Sequence, residues 1–191
     1  MQKVVSDSHL LVRYSEADAP PEGVVAAHQA ILKEKGEVLI GKFGRTISND
    51  KIAIFINQIE TGKTTLLYLV KKTDKGYQVH QAKLKAITKQ IDKMDLMLVP
   101  EYYRKNRFVS VWFRVTSLTK SKTDILKELT IKSSGFTANS TLPKSFAGVF
   151  FVRDSTPDDS VGVKVISNSP SVKTPNSLSL FIDSLTKKNI D

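Results

Sequence analysis

The sequence predicts an α+β fold: a mostly antiparallel, bent β-barrel with flanking helices. Two observations carry this. One early segment has helical spacing and helix punctuation, and from about residue 37 to residue 152 the apolar residues recur mainly with period two. A chain of 191 residues that is 40% hydrophobic can bury one ordinary core, and it has no cysteine, so disulfides, thiolate zinc sites and cysteine nucleophiles are excluded. The expected division is a folded domain over residues 1–153 and a partly ordered appendage or linker over 154–191, where Ser, Asn, Pro and Asp dominate. No apolar run approaches the length of a membrane span, and the first nine residues lack the apolar stretch of a signal peptide. The expectation is a soluble, cytoplasmic protein with no membrane association.

The first clear element is a helix. Pro20, Pro21 and Glu22 offer a start, Val24, His28, Ile31 and Leu32 share a face, and Gly36 is a natural stop after Lys33 and Lys35. Strands are then expected over residues 37–41, 51–59 and 63–70, with Thr61-Gly62 as a hairpin turn between the last two. Residues 76–87 continue the pattern, with Tyr77, Val79 and Gln81 on one side and Gln78, His80 and Ala82 on the other. Residues 89–98 read ambiguously, as a helical turn leading to the stop at Pro100. Residues 108–118 are the strongest strand: Val109, Val111, Phe113 and Val115 form its core face, while Phe108, Ser110, Trp112, Arg114 and Thr116 form a mixed one. A short helix at 123–129 with Thr123 as N-cap and a final strand at 146–152 complete the domain. Within the tail, residues 161–166 read as one more strand and residues 178–185 as a brief amphipathic helix.

Charge is distributed unevenly. Residues 62–132 hold 16 Lys or Arg against 6 Asp or Glu, whereas the rest holds 13 of each, so the net charge of +10 resides in the middle of the chain. Such a stripe suits a polyanion, because each neutralised phosphate releases condensed counterions. Aromatic residues are interleaved with it: Tyr102 and Tyr103 precede Arg104, Lys105 and Arg107, and Trp112 follows. Rings beside cations suit stacking on bases with phosphates nearby. The alternative is that Tyr103 and Phe113 are core, Trp112 is a half-buried strand residue and the basic loop is merely solvated. A second basic-aromatic turn contains Gly41, Lys42, Phe43, Gly44 and Arg45, its glycines permitting close backbone approach.

The catalytic motifs fail on inspection. Thr61-Gly62-Lys63-Thr64-Thr65 mimics the end of a P-loop, but Asn57 stands where the first glycine belongs and no helical period follows. Asp158 and Asp159 resemble half of a nuclease motif whose other half is missing, with Gly162 at the position of the needed carboxylate. Asp92 and Asp95 are two carboxylates at helical spacing, a weak metal set that more often forms a solvated face. His9, His28 and His80 have no mutual ligand spacing, and His28 reads as a packed core or boundary residue. No catalytic residue, metal site or cofactor is expected.

With this order of elements, and with the phrase Trp112-Phe113-Arg114-Val115-Thr116-Ser117, the chain over roughly residues 8–153 resembles PUA-like small barrels. Within these it is most similar to the EVE and YTH-like group, as found in N-terminal DNA-reading domains of McrBC-type restriction systems. The resemblance implies a domain without catalysis that captures a flipped, often methylated base in an aromatic pocket, cleavage belonging to an effector nuclease or ATPase domain or subunit. Trp112, Tyr102, Tyr103 and Phe43 are then the base-pocket residues, and Lys42, Arg45, Arg104, Lys105, Arg107 and Arg114 the phosphate contacts. The expected partner is nucleic acid, DNA ahead of RNA. One Trp is fewer than a full aromatic cage often uses, and the Gly-x-Lys-x-x-Glu-x-Arg signature of the related ASCH group is missing. Three other readings stand beside this one: a B3-like duplex-binding pseudobarrel, a nuclease with an unconventional site at Asp92, Asp95 or Asp158, and a module whose basic face meets an acidic protein.

Overall fold

The computed structural model describes residues 7–155, except Asp18, residues 105–107 and Thr123, and for Arg104 the backbone alone. The expected tail elements, Asp158, Asp159 and the Thr123 cap therefore lie outside the described residues. The helix α1 (Val24–Lys35) follows the strand β1 (His9–Arg13), and Gly36 ends it in the left-handed conformation (φ 77°), its N–H donating to Leu32 O. Next come β2 (Val38–Phe43), α2 (Asn49–Glu60), β3 (Leu66–Thr73) and the long strand β4 (Gly76–Thr88). Two 3₁₀ turns, Met94–Leu98 and Glu101–Arg104, lead to β5 (Val109–Val115) and the two-residue β6 (Thr119–Lys120). The short helices α3 (Ile125–Glu128) and α4 (Ala138–Thr141) flank β7 (Leu129–Ile131), and β8 (Val149–Asp154) is last.

The fold is α+β around one large sheet of order β2-β5-β4-β3-β1-β8-β7, with β6 paired to β4. Every pairing is antiparallel except β1 with β3. The path is open, with β2 and β7 at its two ends, so among the described residues the expected barrel does not close. The strand β4 serves two neighbours along this path besides β6. Its first part pairs with β3, its last residues pair with β5, and a register shift falls between Leu84 and Ala86. An extra residue there inverts the side-chain phase, so Ala82 and Leu84 before the shift and Ile87 after it face the same core.

Alternation along the strands builds two cores, one on each face. Leu10, Val12, Leu67, Leu69, Val38, Ile40, Val111, Phe113 and Val115 form the first, closed by Phe55 and Ile52 of α2. Leu11, Tyr68, Val70, Phe150 and Val152 form the second, against Leu126, Leu129, Ala138 and Leu142. The expected core face of β5 is thus correct for Val111, Phe113 and Val115, whereas Val109 packs elsewhere because the β2–β5 register shifts at Phe43.

The segment 51–59 is corrected from strand to helix. Its isoleucines suggest period two, but the buried residues are Ile52, Phe55 and Gln58, a spacing of three that only a helix presents to one side. Gln58 fixes that choice. Its amide accepts from Ser8 N–H (2.7 Å) and donates to Ser8 O (2.7 Å) and Thr65 Oγ1 (2.7 Å), which a solvent-facing strand residue would not do. Thr61-Gly62 is accordingly the end of α2 and no hairpin turn. Gly62 takes φ 76°, its N–H donates to Ile59 O, and Lys63 N–H donates to Gln58 O, the paired bonds of a Schellman cap. The strand β1 was not anticipated, although it occupies an interior place between β3 and β8.

Candidate nucleic-acid interface

The site begins with a covered sheet face. On β2 and β5 the residues that do not enter the first core include Leu39 and Trp112, and a strand with Ser110, Trp112 and Arg114 on that side reads as solvent-facing. Instead the 3₁₀ segment lays Leu98, Val99 and Tyr103 over it, and Trp112 is only 8% exposed. Trp112 therefore stands behind the site, its ring meeting Tyr103 edge-on at 5.4 Å, and it does not line the cavity described below.

Tyr103 is held from several sides. Gly41 N–H donates to its hydroxyl (3.0 Å), and its proton has two acceptors in reach, Gly41 O (3.2 Å) and His28 Nε2 (3.4 Å). His28 is fully buried and its Nδ1 donates to Val24 O (2.7 Å), which leaves Nε2 as the acceptor. Burial pulls the His28 pKa down to about 4, so the ring is neutral near pH 7, and burial pushes the Tyr103 phenol up to about 12. Gly41 makes this approach possible. A Cβ there would lie 2.8 Å from Tyr103 Cε1 and 3.0 Å from both Trp112 Cζ3 and Val109 Cγ1.

Outward from Tyr103 the rings become accessible. Tyr102 stacks on it (centroids 4.3 Å apart), and Phe43, 36% exposed, lies 5.4 Å away. These three, with Tyr14, Lys42 and Gly148, wall a cavity of about 630 Å³ whose floor is Val12, Ile40, Leu69 and Phe113 at the end of the first core. That volume lies within the roughly 300–1,000 Å³ of small-ligand pockets. Its chemistry is an apolar floor, neutral aromatic walls and two cations in the lining, Lys42 and Arg13. Burial raises Tyr14 to about 12 and raises Tyr102 as well, so both phenols remain protonated donors.

The structure brings the expected residues together unevenly. Tyr102, Tyr103, Phe43 and Lys42 share this cavity. Lys42 Nζ donates to Phe43 O (3.0 Å) and to Arg45 O, tying the exposed turn that carries Arg45, and partial burial lowers its pKa. Arg114 is elsewhere, its guanidinium paired with Glu37 (3.1 Å) and Asp95. Lys85 (2.6 Å) and Arg114 hold the Glu37 carboxyl below its ordinary range. Lys105, Arg107 and the Arg104 side chain lie outside the described residues. Asp92 and Asp95 exchange backbone bonds, Asp95 N–H to Asp92 Oδ1 (2.9 Å) and Asp92 N–H to Asp95 Oδ2 (3.4 Å), which gives them a capping role in the turn. Sequence reasoning missed Tyr14 and Gly148. The signal for Tyr14 was the apolar run Leu10-Leu11-Val12 just before it, which marks a strand delivering the next residues to a strand end.

Among the described residues no helix is long and apolar enough to cross a membrane. Neither the comparison with curated proteins nor that with solved structures gives a match. The profile of the Pua-like family, by contrast, matches residues 10–148, from the first residues of β1 to the foot of β8, and the chain belongs to the PUA-like family.

Proposed function

We propose that this domain binds nucleic acid by taking one extruded base into the cavity walled by Tyr14, Phe43, Tyr102 and Tyr103. PUA-like domains are, as a class, nucleic-acid-binding domains and typically non-catalytic. The observation that supports the base-capture reading is the convergence of three accessible rings and Lys42 on a single cavity of base-admitting size. Rings contribute stacking of about 1–3 kcal/mol per base, and the cations contribute the salt-dependent term. The ligand is DNA, the captured base carries a modification such as a methyl group, and the apolar floor of Val12, Ile40, Leu69 and Phe113 favours that added group. Lys42 and Arg45, with Arg104, Lys105 and Arg107 immediately after Tyr103 in sequence, contact phosphates. The domain serves a restriction or defence system in the cytoplasm, where cleavage belongs to an effector nuclease or ATPase.

Fluorescence anisotropy tests this with matched DNA and RNA probes, unmodified or methylated at adenine or cytosine, across a salt series. One methylated DNA probe is expected to bind at least tenfold more tightly than its unmodified match, about 1.4 kcal/mol. The Tyr102→Ala variant is expected to lose that preference. Salt-dependent binding that is indifferent to the base would overturn base capture, and no binding at low salt would overturn the whole reading.

A further inference from the structure

The cavity just described has a neighbour on each side, and the two neighbours differ in chemistry. One recess, of about 570 Å³, shares Arg13, Tyr14 and Ser15 with the central cavity and is completed by Lys71, Lys72 and Tyr77 among others. The other, of about 470 Å³, shares Ala19 and Tyr102 with it and is lined by Pro20, Pro21, Pro100, Glu22 and Glu101, with no Lys or Arg in its lining. The two recesses share no residue, so the central cavity lies between a basic end and an acidic, proline-rich end.

Resting on the base-capture reading, we propose that the basic recess is a subsite for the nucleotide adjoining the captured base. The ligand is then a single strand of at least two nucleotides, continuing from the central cavity past Tyr14 toward the tip of the β3–β4 hairpin. Register supports the pairing of roles there. Lys72 and Tyr77 are directly opposite each other in the hairpin, so an exposed ammonium and a half-buried ring stand side by side for a phosphate and a base. Tyr14 lines both cavities and stands at the passage between them. The wall is preformed: Glu16 accepts from Lys71 Nζ (3.3 Å) with one oxygen and from Val24 N–H (3.1 Å) with the other, pinning the chain after β1 to both β3 and α1. Lys71 is thereby occupied and Arg13 donates to Leu142 O, which leaves Lys72 as the cation of this recess without a partner among the described residues. At the opposite end Glu22 and Glu101 repel a phosphate, so the strand has one direction of continuation, and adding nucleotides on the two sides of the base has unequal effects.

The test uses the full chain and competition against a fluorescein-labelled pentadeoxynucleotide with a central N6-methyladenine or 5-methylcytosine. Competitors are the methylated mononucleotide and its dinucleotides extended on the 5′ or the 3′ side. One dinucleotide is expected to compete at least tenfold better than the mononucleotide and the other less than twofold better. The double variant Lys72→Glu, Tyr77→Ala touches neither the lining of the central cavity nor its rings, and it is expected to abolish that tenfold gain while mononucleotide competition stays within twofold. Equal gains on both sides, or a gain that survives in the double variant, would overturn the subsite and leave base capture standing. Competition by none of the probes would overturn base capture and the subsite together.

Discussion

The two sides of Tyr103 make opposite uses of the same residue types. Inward are Trp112, Gly41 and His28, all buried or closely packed, with each polar atom of Tyr103 and His28 engaged. Outward are Tyr102, Phe43 and Lys42, which have similar chemistry but face a cavity. The inner set is specified by packing and has little freedom, whereas the outer set is held in place by the inner one and has faces left over for a ligand. Aromatic content alone does not separate the two. What separates them is the 3₁₀ segment Glu101–Arg104, which turns Tyr103 in over Trp112 and leaves Tyr102 at the rim.

Breaking the inner side should be a stability event. Trp112→Ala removes a large buried ring from the cluster with Leu39, Leu98, Val99 and Tyr103 and should lower unfolding free energy by about 3–5 kcal/mol, read by denaturant titration. Loss of base preference with unchanged stability would show instead that Trp112 contacts the ligand. Acid should act on the same side. The His28 pKa is depressed to about 4 from an ordinary 6.5, so the unfolded chain binds the extra proton first. The contribution is intact above about pH 6.5 and declines as pH falls through 4, by roughly 3 kcal/mol in all. A His28→Gln variant should be less stable at pH 7 and show a correspondingly smaller loss between pH 6.5 and 4. Equal pH slopes in parent and variant would mean that His28 is not the group that titrates. Gly41→Ala ranks next, at about 1–3 kcal/mol, because its methyl must displace Tyr103, Trp112 or Val109. A neutral result in thermal melts would show that the ring cluster yields without cost.

The sequence made the helix α1, its Gly36 stop and the alternation in β4 and β5 legible, because these depend on local period and punctuation. It misled wherever a distant element decided the outcome. Ile52, Ile54, Ile56 and Ile59 look like strand formers, and α2 forms because Phe55 and Gln58 find partners in β8, the N-terminal segment and Thr65 just before β3. The polar neighbours of Trp112 suggested an exposed face, yet Ser110 Oγ donates to Lys42 O (3.0 Å) and Arg114 is neutralised by Glu37 and Asp95. For the site, Tyr102, Tyr103, Phe43 and Lys42 could be named from aromatic-basic interleaving. Tyr14 was signalled only as the residue after an apolar run, because its place at the cavity follows from the parallel pairing of β1 with β3, which joins residues 57 positions apart, such as Leu10 and Leu67.

Breaking the outer side should instead be a binding event. Tyr102→Ala is expected to leave the fold largely intact, since the ring is only half buried, and to cost about 1–3 kcal/mol in binding the preferred probe. The finest distinction lies between two cations of one turn. Arg45 is exposed and its side chain holds no other group among the described residues, so Arg45→Ala should weaken every nucleic-acid probe alike and reduce the salt slope by about one. Lys42 reaches across the turn to Phe43 O and Arg45 O, so Lys42→Ala removes a charge and also releases the loop that presents the Phe43 ring. Its loss should therefore reduce the slope by a similar amount and, unlike the loss of Arg45, also erode the preference for one base. If the two variants gave the same uniform loss, the turn would be a phosphate clamp alone, and Phe43 would drop out of the outer set.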